Sequence, residues 1–293
     1  MKPAPFAYRR PTTLEEALAV LAESPDAKVL AGGQSLVPLL SMRLAAPALL
    51  VDINRLPDLD HVTATADGVR VGALARHADV LASAEARACQ PLVALALGNV
   101  AHATIRNRGT TVGSLVHADA AAEMPVVLRL LGGSVDVASA SGRRTIAADD
   151  LFLGPLESSL RPDEIALEAF FPALAPGAGV GFEEVARRHG DYAMCGVAGL
   201  VRVAGGRVVE ARAGYLSVSD VPTVVDLTDS LADGVTDASL AAAGEAALAD
   251  LDPQEDIHAA ADYRAMLVRH LTGRVLRAAH AHATDERGEP DHA

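Results

Sequence analysis

The sequence is poor in aromatic side chains and in positive charge. None of its 293 residues is Trp, only 3% are aromatic, and 25 Lys and Arg stand against 38 Asp and Glu, which gives a net charge of −13. A surface that binds nucleic acid needs clustered positive charge, and single strands also need aromatic side chains on which bases can stack. The composition therefore argues against a nucleic-acid-binding protein.

Cysteine is also scarce. The sequence contains two, Cys89 and Cys195, and neither belongs to a Cys-x-x-Cys motif. Two isolated thiols can build neither a disulfide framework nor a thiolate metal centre. We expect both side chains to be small buried hydrophobic groups.

Long apolar runs are missing as well. No stretch approaches the roughly 18 apolar residues of a membrane span, and the first residues, Met-Lys-Pro-Ala-Pro, lack the apolar core of a secretory signal. We therefore expect a cytoplasmic protein that reaches the inner face of a membrane only through partners. What is present is an ordinary globular balance, 50% hydrophobic and 22% charged residues, in a chain long enough for about two domains.

The first part of the chain predicts a β-α-β unit. A capping box at residues 13–16 begins an amphipathic helix. Residues 27–30 read as a strand that runs into a pair of glycines, Ser35 can cap a helix that continues to Met42, and residues 49–53 form a second strand. This arrangement predicts a glycine turn at the end of the first strand.

A second α/β segment is predicted from about residue 60 to residue 170. Its patterns indicate a strand at 69–73, an apolar helix at 86–101 and a hairpin at 134–146. Alternating strands and helices of this kind are typical of a layered α/β region.

Proline and glycine interrupt residues 172–179, where we place the domain boundary. Beyond it the patterns predict paired strands at 201–203 and 207–211 and helices at 239–251 and 256–282. The last helix has an apolar stripe and a set of arginines on its other faces, namely Leu267, Leu271, Val275 and Ala278 in the stripe and Arg264, Arg269, Arg274 and Arg277 outside it. The final residues, 284–293, are too polar to pack, and we predict that they are disordered.

Two glycine-containing loops are the most informative features. One is residues 31–36, Ala-Gly-Gly-Gln-Ser-Leu, and the other is residues 106–114, Arg-Asn-Arg-Gly-Thr-Thr-Val-Gly-Ser. A single Gly-Gly after a strand is usually only a turn, but two loops that can turn their backbone N–H groups outward suggest one long anion between them. Neither loop is a P-loop, a Rossmann G-x-G-x-x-G or a complete G-x-S-x-G nucleophile elbow.

The second loop continues into His117-x-Asp119-x-x-x-Glu123, a spacing that resembles a set of metal ligands. A zinc site would need a second His close by, and the sequence has none there. The two acids are better suited to accept hydrogen bonds from sugar hydroxyls, and His117 is equally well read as a surface or capping histidine. We assign no metal ligand and no catalytic residue to the chain.

With these motifs in view, the chain resembles the FAD-binding medium subunit of molybdenum hydroxylases, the family of aerobic carbon monoxide dehydrogenase and xanthine dehydrogenase. The two glycine loops carry the resemblance, the second as part of residues 104–115. Further matches are residues 160–165, residues 187–193, and residues 261–264 together with Arg274. The resemblance extends from Phe6 to about Ala283.

The resemblance implies an α+β fold with two main domains. Residues 1–172 would form an FAD-binding region of the vanillyl-alcohol-oxidase or PCMH-like type, with subdomains at about 1–58 and 59–172. Residues 177–283 would form a carbon monoxide dehydrogenase flavoprotein C-terminal domain, in which helices cover a three-stranded sheet.

The resemblance also implies which residues contact FAD. The diphosphate would lie against the first loop and the strand before it, that is Val29, Leu30, Ala31, Gly32, Gly33, Gln34, Ser35 and Leu36. Thr110, Gly113 and Ser114 of the second loop would lie along the ribityl and diphosphate portion. His117, Glu123 and Leu160 would also contact the cofactor, and Tyr192 would cover one face of the isoalloxazine ring. The chain departs from its relatives at Glu123, where Asp is common, and at Gln34, where the well-studied carbon monoxide enzymes have His.

The function implied is that of an electron-transfer subunit of a molybdenum-containing oxidoreductase. Its partners would be a large molybdenum-cofactor subunit and a small subunit with two-iron two-sulfur clusters. Electrons would pass from those clusters to FAD on this chain and then to an external acceptor. Such clusters need about four Cys each, so this chain cannot hold them, and a dimer of heterotrimers is expected. Two alternatives are a stand-alone FAD-dependent oxidase of the vanillyl-alcohol-oxidase type and a non-catalytic binding module.

Overall fold

The computed structural model describes residues 2–285 of the chain. Its strands are β1 (Ala7–Arg9), β2 (Ala27–Leu30), β3 (Leu49–Asp52), β4 (Val62–Ala64), β5 (Gly68–Gly72), β6 (Ser134–Ser139), β7 (Gly142–Ala147), β8 (Phe152–Gly154), β9 (Glu157–Ser158), β10 (Ile165–Pro172), β11 (Ala178–Ala186), β12 (Ala193–Ala204), β13 (Arg207–Leu216) and β14 (Thr223–Asp226). Its α-helices are α1 (Leu14–Glu23), α2 (Leu36–Met42), α3 (His77–Ala82), α4 (Ala84–Cys89), α5 (Pro91–Leu97), α6 (Ala103–Arg106), α7 (Thr111–His117), α8 (Glu123–Leu131), α9 (Ala148–Leu151), α10 (Asp237–Ala249) and α11 (Ala261–Asp285).

The first sheet is small and parallel, with strand order β1-β3-β2. The predicted β-α-β unit is present as β2, α2 and β3, and the glycine turn follows β2 as expected. The capping box of α1 is half formed, because the Thr13 hydroxyl accepts the backbone N–H of Glu16 at 3.2 Å. Leu18 and Leu21 then pack this helix into the core.

The second sheet is antiparallel, with order β4-β5-β10-β6-β7, and helices α3 to α8 surround its core. The predicted hairpin is β6 and β7. The single helix predicted for residues 86–101 is wrong, because the chain forms α4 and α5 with a break at Gln90. Pro91 has no N–H and clashes with a preceding helical turn, so it can begin α5 but cannot continue α4.

The third sheet has the order β11-β12-β13-β14, all antiparallel, and lies between α11 on one face and α8 on the other. It has four strands instead of the implied three, since β14 adds a short strand at the edge. Gly205 and Gly206 make the turn between β12 and β13 with φ of 58° and 79°, a left-handed pair that suits a tight hairpin.

The last helix differs from its prediction in two ways. It begins at Ala261, later than expected, and its buried stripe contains Ala279 instead of the exposed Ala278. Arg264, predicted on an outer face, is 5% exposed and pairs with Asp256 at 2.7 Å. The helix extends through Asp285, and the rest of the predicted disordered tail lies outside the described residues.

The prediction for the two cysteines is only partly correct. Cys195 is fully buried in the third sheet. Cys89 is only half-buried at the end of α4, where its thiol donates to the Thr65 carbonyl at 3.4 Å. Cys89 is the last residue of α4, and a helix end is seldom enclosed on all sides. For this reason its small apolar side chain is not fully buried.

A buried hydrogen bond ties α11 to the third sheet. Tyr215 is 1% exposed, and its hydroxyl lies 2.8 Å from the hydroxyl of Thr272, which is itself fully buried. Because the Thr272 hydroxyl donates to the Val268 carbonyl at 2.7 Å, its one proton is used and Tyr215 must be the donor.

We predict that Tyr215→Phe lowers the free energy of unfolding by about 1–2 kcal/mol, since a buried hydrogen bond is lost without any large change in packing. Denaturant-induced unfolding of the variant and of the unmodified chain would measure this difference in free energy. Tyr263→Phe, at a partly exposed position of α11, is the matched control and should change little. Equal stability in both variants would contradict this account of the bond.

Candidate cofactor site

The first glycine loop, residues 31–36, contains backbone N–H groups without a hydrogen-bond acceptor. Gly33 has a φ of +73°, a conformation that glycine adopts without strain. Within the part of the chain that the structure describes, the N–H groups of residues 32–35 donate no hydrogen bond. Ser35 lies at the start of α2, as predicted, but its hydroxyl does not cap that helix. The loop thus presents a set of unpaired donors, as an anion requires.

The two glycine loops are in direct contact. A Cβ atom added to Gly32 would overlap the carbonyl oxygen of Arg108 and would lie 2.9 Å from the Cα of Gly109. No residue other than glycine fits at position 32 without moving backbone. The sequence suggested two loops for one ligand, and the structure brings them together.

A polar network that sequence reasoning missed holds the two loops in place. The Asn54 side-chain amide donates to the Ala31 carbonyl at 2.8 Å, and its oxygen accepts the Arg76 guanidinium at 2.7 Å. Arg76 in turn donates to the Arg108 carbonyl at 3.0 Å. One continuous chain of hydrogen bonds therefore runs from the first loop to the second. The signal for it was Asp52-x-Asn54 at the carboxyl end of a parallel strand, where ligand sites commonly form.

The Asp52 carboxylate fixes one end of this network by accepting a hydrogen bond from Asn54. Although burial acts to raise it, hydrogen bonds from Tyr8 and Asn54 hold the pKa of the Asp52 carboxyl below its ordinary value. Arg10 lies 3.4 Å away on the other side. Asp52 is therefore ionised at neutral pH and fixes the Asn54 amide through a bond of 2.7 Å.

The second loop is fixed by its own residues. The Thr110 hydroxyl accepts the Gly113 N–H at 3.1 Å and caps α7, and a Cβ atom on Gly113 would overlap that hydroxyl. Beneath the loop, the backbone N–H of His77 donates to the Gly109 carbonyl at 2.9 Å. Burial lowers the pKa of His77 to about 4, so the ring is neutral and bonds the Thr111 hydroxyl at 3.1 Å.

A third group of predicted residues gathers where α7 ends and α8 begins. His117 is the last residue of α7, Glu123 is the first of α8, and Asp119 lies between them. Burial and the nearby Glu184 carboxylate raise the pKa of Glu123 to about 8. Tyr192, 63% exposed, arrives from the segment before β12, and burial of its hydroxyl near Asp119 raises its pKa to about 12.

Leu160 lies in a segment that a buried ion pair positions. Its side chain packs partly buried against the hydrophobic core. Nearby, Glu164 is 5% exposed and binds the Arg144 guanidinium with both oxygens, at 2.7 and 2.8 Å. Arg144 also donates to the Ser159 carbonyl at 3.0 Å. The motif at 160–165 therefore has a structural role in addition to any contact with a ligand.

The described residues contain neither a metal-ion site nor a membrane-spanning helix. No group of three His, Cys, Asp or Glu side chains among them is arranged to hold a metal ion. No helix in that part of the chain is long and apolar enough to cross a membrane.

These features fit the diphosphate of a dinucleotide better than a free phosphate or a metal. The first loop offers several adjacent N–H groups, and the second lies directly against it. Residues 4–174 match the model of the FAD binding domain in molybdopterin dehydrogenase, and residues 181–279 match that of the CO dehydrogenase flavoprotein C-terminal domain. The chain belongs to this flavoprotein family.

Relatives of this flavoprotein match it along nearly their whole length. The alpha subunit of the 6-hydroxypseudooxynicotine dehydrogenase complex from Paenarthrobacter nicotinovorans is 40% identical over 100% of both chains. The medium subunit of nicotine 6-hydroxylase from the same organism is 40% identical over 94% of this chain and 98% of its own. The structure of quinoline 2-oxidoreductase from Pseudomonas putida 86 superposes with a TM-score of 0.91 at 36% identity, covering 97% of this chain and 99% of that one.

The flavoprotein is therefore an FAD-binding subunit of the molybdenum hydroxylase type. Its relatives are subunits of oxidoreductase complexes, and the alternative of a stand-alone oxidase is not favoured. The fold agrees with the α+β expectation in its mixed sheets and helices.

We predict that Gly33→Val abolishes FAD binding while the chain stays folded. A β-branched side chain at positive φ strains the backbone, and its Cβ would lie only 3.1 Å from Leu30 Cδ1. Gly132→Val is the matched control, because Gly132 has a similar φ of +66° with no atom within 4 Å of the added Cβ. Titration with FAD, followed by flavin fluorescence, would separate the two. An unchanged affinity in Gly33→Val would show that this loop is not the binding loop.

We also predict that Asn54→Ala weakens FAD binding although Asn54 is not among the proposed contacts. The variant removes the two bonds by which Asn54 connects Ala31 of the first loop to Arg76, and it should lower the free energy of unfolding by about 1–3 kcal/mol because partly buried partners lose their bonds. Asn99→Ala serves as control, since the Asn99 amide bonds only the Leu95 carbonyl of its own helix end. The same FAD dissociation constant in both variants would contradict the network's role.

Proposed function

We propose that the two loops and the cluster after them hold FAD with the residues that the family resemblance implies. The diphosphate lies against Val29, Leu30, Ala31, Gly32, Gly33, Gln34, Ser35 and Leu36. The ribityl chain follows Thr110, Gly113, Ser114, His117, Glu123 and Leu160, and Tyr192 covers one face of the ring. The observation that carries this proposal is the set of unpaired N–H groups at residues 32–35, in a loop that contacts the second glycine loop through Gly32.

The charge of the chain supports a site made from backbone dipoles. The net charge is −13, and residues 31–36 contain neither Lys nor Arg, so the first loop has no cationic clamp for the diphosphate; the cations of the second loop are Arg106 and Arg108. Backbone N–H groups in a turn can bind phosphate without such a clamp. We infer that Gly32, Gly33 and Ser35 provide the main donors.

Bound flavin supplies the ability to accept electrons singly and to release them in pairs. The residues of this chain bind and orient it, and none of them acts as a catalytic acid or base. The Tyr192 phenol is neutral at physiological pH, as an ordinary phenol is, and its pKa is raised further, so the ring can lie over the cofactor without adding a negative charge. His117, whose pKa burial lowers, is also neutral there and can accept a hydrogen bond from the ribityl chain.

We propose that the chain works beside a small two-iron two-sulfur subunit and a large molybdenum-cofactor subunit, as a dimer of heterotrimers. Two iron–sulfur clusters need about eight thiolates, and Cys195 is buried in the third sheet. We further propose that the complex is cytoplasmic and reaches the inner face of the membrane only through its partners.

Two of the relatives support a proposal for the substrate class. Nicotine 6-hydroxylase and quinoline 2-oxidoreductase are named for aromatic nitrogen heterocycles. We propose that the assembled enzyme hydroxylates a substrate of this class. Gln34, at the place of the His of the well-studied carbon monoxide enzymes, is consistent with that choice.

We predict that the isolated chain binds FAD without a covalent bond, because no His or Cys attachment motif adjoins the loops. Acid precipitation should release the flavin. Dithionite should reduce it, whereas a heterocyclic substrate should leave it oxidised until the two partner subunits are added. Absorbance of the flavin measures both steps.

Two results would contradict this assignment. A chain that stays colourless in the presence of FAD would refute the cofactor site. Stoichiometric bleaching by the substrate with no other subunit present would instead favour a stand-alone oxidase.

A further inference from the structure

Three non-glycine residues with a left-handed backbone meet between α7 and α8, at residues 118–122, which we call the connecting segment. Ala118, Leu156 and Ser217 have φ angles of 54°, 57° and 59°. The Leu156 N–H donates to the Ala118 carbonyl at 3.1 Å, and the Ser217 N–H donates to the Ala120 carbonyl at 2.9 Å. Such conformations cost free energy and persist only where the surrounding structure enforces them. Their meeting at one segment therefore needs an explanation.

The connecting segment separates two of the proposed FAD contacts. His117 ends α7 directly before it, and Glu123 begins α8 directly after it. Within the segment, the Asp119 carboxylate accepts the Ala121 N–H at 2.9 Å, which gives the segment a defined turn. A shift of this segment would therefore move both contacts relative to the glycine loops.

Arg264 of α11 holds the residue that reaches the connecting segment. Its guanidinium donates one hydrogen bond to the Ser217 carbonyl and lies 2.7 Å from an oxygen of Asp256. Ser217 directly follows β13, and its N–H and carbonyl are both used, the first for Ala120 and the second for Arg264. A continuous path of hydrogen bonds therefore runs from α11 through Ser217 to the connecting segment.

The turn before α11 orients the Arg264 side chain. The Asp256 carboxylate accepts the backbone N–H groups of His258 at 2.8 Å and of Ala259 at 3.0 Å, in addition to its contact with Arg264. The backbone N–H of Gln254 donates to the Val218 carbonyl at 3.1 Å, so this turn is also bonded to the chain just after Ser217. The guanidinium and its target are thus held by the same part of the structure.

Stability alone does not account for a buried arginine here. Arg264 is 5% exposed, and its Nε is buried without a hydrogen-bond partner in the described part of the chain. Taking a cation out of water offsets most of what its ion pair contributes, so buried pairs add little net stability. What the guanidinium does provide is a donor in a fixed direction, which holds the Ser217 peptide in its left-handed conformation.

We propose that Arg264 is a positioning residue of the FAD site, which acts through Ser217 on the connecting segment and so holds His117 and Glu123 where they contact the cofactor. The last helix and the third sheet then contribute to FAD affinity through backbone hydrogen bonds, without a contact of Arg264 with the cofactor. This inference rests on the proposed contacts of His117 and Glu123, but the path of hydrogen bonds belongs to the chain without cofactor.

The first test measures FAD binding by Arg264→Met, which has no donor for the Ser217 carbonyl. The connecting segment should then keep its binding arrangement in about a tenth of the molecules, so the FAD dissociation constant should rise about tenfold. Tyr215→Phe is the matched control, because it also removes a buried bond between the third sheet and α11, but one that ends at Thr272. Both constants are measured at a temperature at which circular dichroism shows each variant folded. A rise of the same size in both variants would overturn the proposal.

Two further variants test the path through Ser217. Arg264→Lys keeps the charge and a donor but loses the planar fork, so the FAD dissociation constant should rise by about threefold, between the unmodified chain and Arg264→Met. This variant carries the comparison if Arg264→Met does not fold. Ser217→Gly, added to Arg264→Lys, should restore most of the affinity, because glycine adopts the left-handed conformation without strain. No recovery in the double variant would contradict a path through the Ser217 backbone.

A second measurement does not depend on FAD. In the chain without cofactor, hydrogen exchange of the Ser217 amide should be about tenfold faster in Arg264→Met than in the unmodified chain, because its bond to Ala120 opens more often. Tyr215→Phe should leave that rate nearly unchanged. Equal exchange rates in Arg264→Met and the unmodified chain would overturn the proposal.

The variant His117→Ala separates a failure of this inference from a failure of the proposed site. If His117→Ala binds FAD as tightly as the unmodified chain, the proposed contact is wrong, while the exchange rates still decide the link from Arg264 to the connecting segment. If His117→Ala binds weakly and Arg264→Met binds like Tyr215→Phe, the contact stands and the positioning role of Arg264 is refuted.

Discussion

The contact between the two glycine loops is the constraint on which the rest of the site depends. Gly32 lies against the backbone of Arg108 and Gly109 so closely that a Cβ atom cannot be placed between them. The Asn54 and Arg76 side chains then bridge the loops with bonds of 2.7–3.0 Å. The unpaired N–H groups of the first loop therefore belong to a segment that is held in place, and a long anion can bind with little further ordering.

This contact joins two separate sheets. The first loop follows β2 of the small parallel sheet, and the second precedes α7, which packs against β10 of the antiparallel sheet. Buried ionic and polar groups hold each side, with Asp52 under the first loop and the neutral His77 under the second. A cofactor that bridges the loops would therefore stabilise the junction between the sheets, because a ligand that binds only the folded state adds to its stability.

The third sheet completes the site from the opposite side. It supplies Tyr192 just before β12, and it contacts the segment after α7 through the Ser217–Ala120 bond. The 580 Å³ groove between α10 and α11 lies on its other face and includes Glu183 and Arg274 in its lining. One face of this sheet thus belongs to the cofactor site, and the other belongs to the helical layer.

The acidic character of the chain gives the site its chemistry. Residues 31–36 contain neither Lys nor Arg, so backbone dipoles are what the first loop offers to an anion. Burial raises the pKa of the Glu184 carboxyl to about 7, and burial together with the nearby Glu184 carboxylate raises that of Glu123 to about 8. An environment of this kind makes proton binding sensitive to small changes near pH 7.

The sequence by itself determined the local elements and the motifs. The strand at 27–30, the glycine turn and the hairpin at 134–146 could be predicted because alternation, capping and glycine act over a few residues. The break at Pro91 was missed because the apolar pattern continues across it. The number of strands in the third sheet and the burial of Arg264 were missed because neither leaves a periodic signal.

Only the tertiary structure decided how the motifs meet. That Gly32 touches Gly109 and that Asn54 and Arg76 connect the loops are contacts between residues 22 to 77 positions apart in the chain. Such contacts depend on how sheets and helices pack, which no local pattern encodes. Sequence therefore indicated the ligand through its loops, and packing determined the geometry and the charges that surround it.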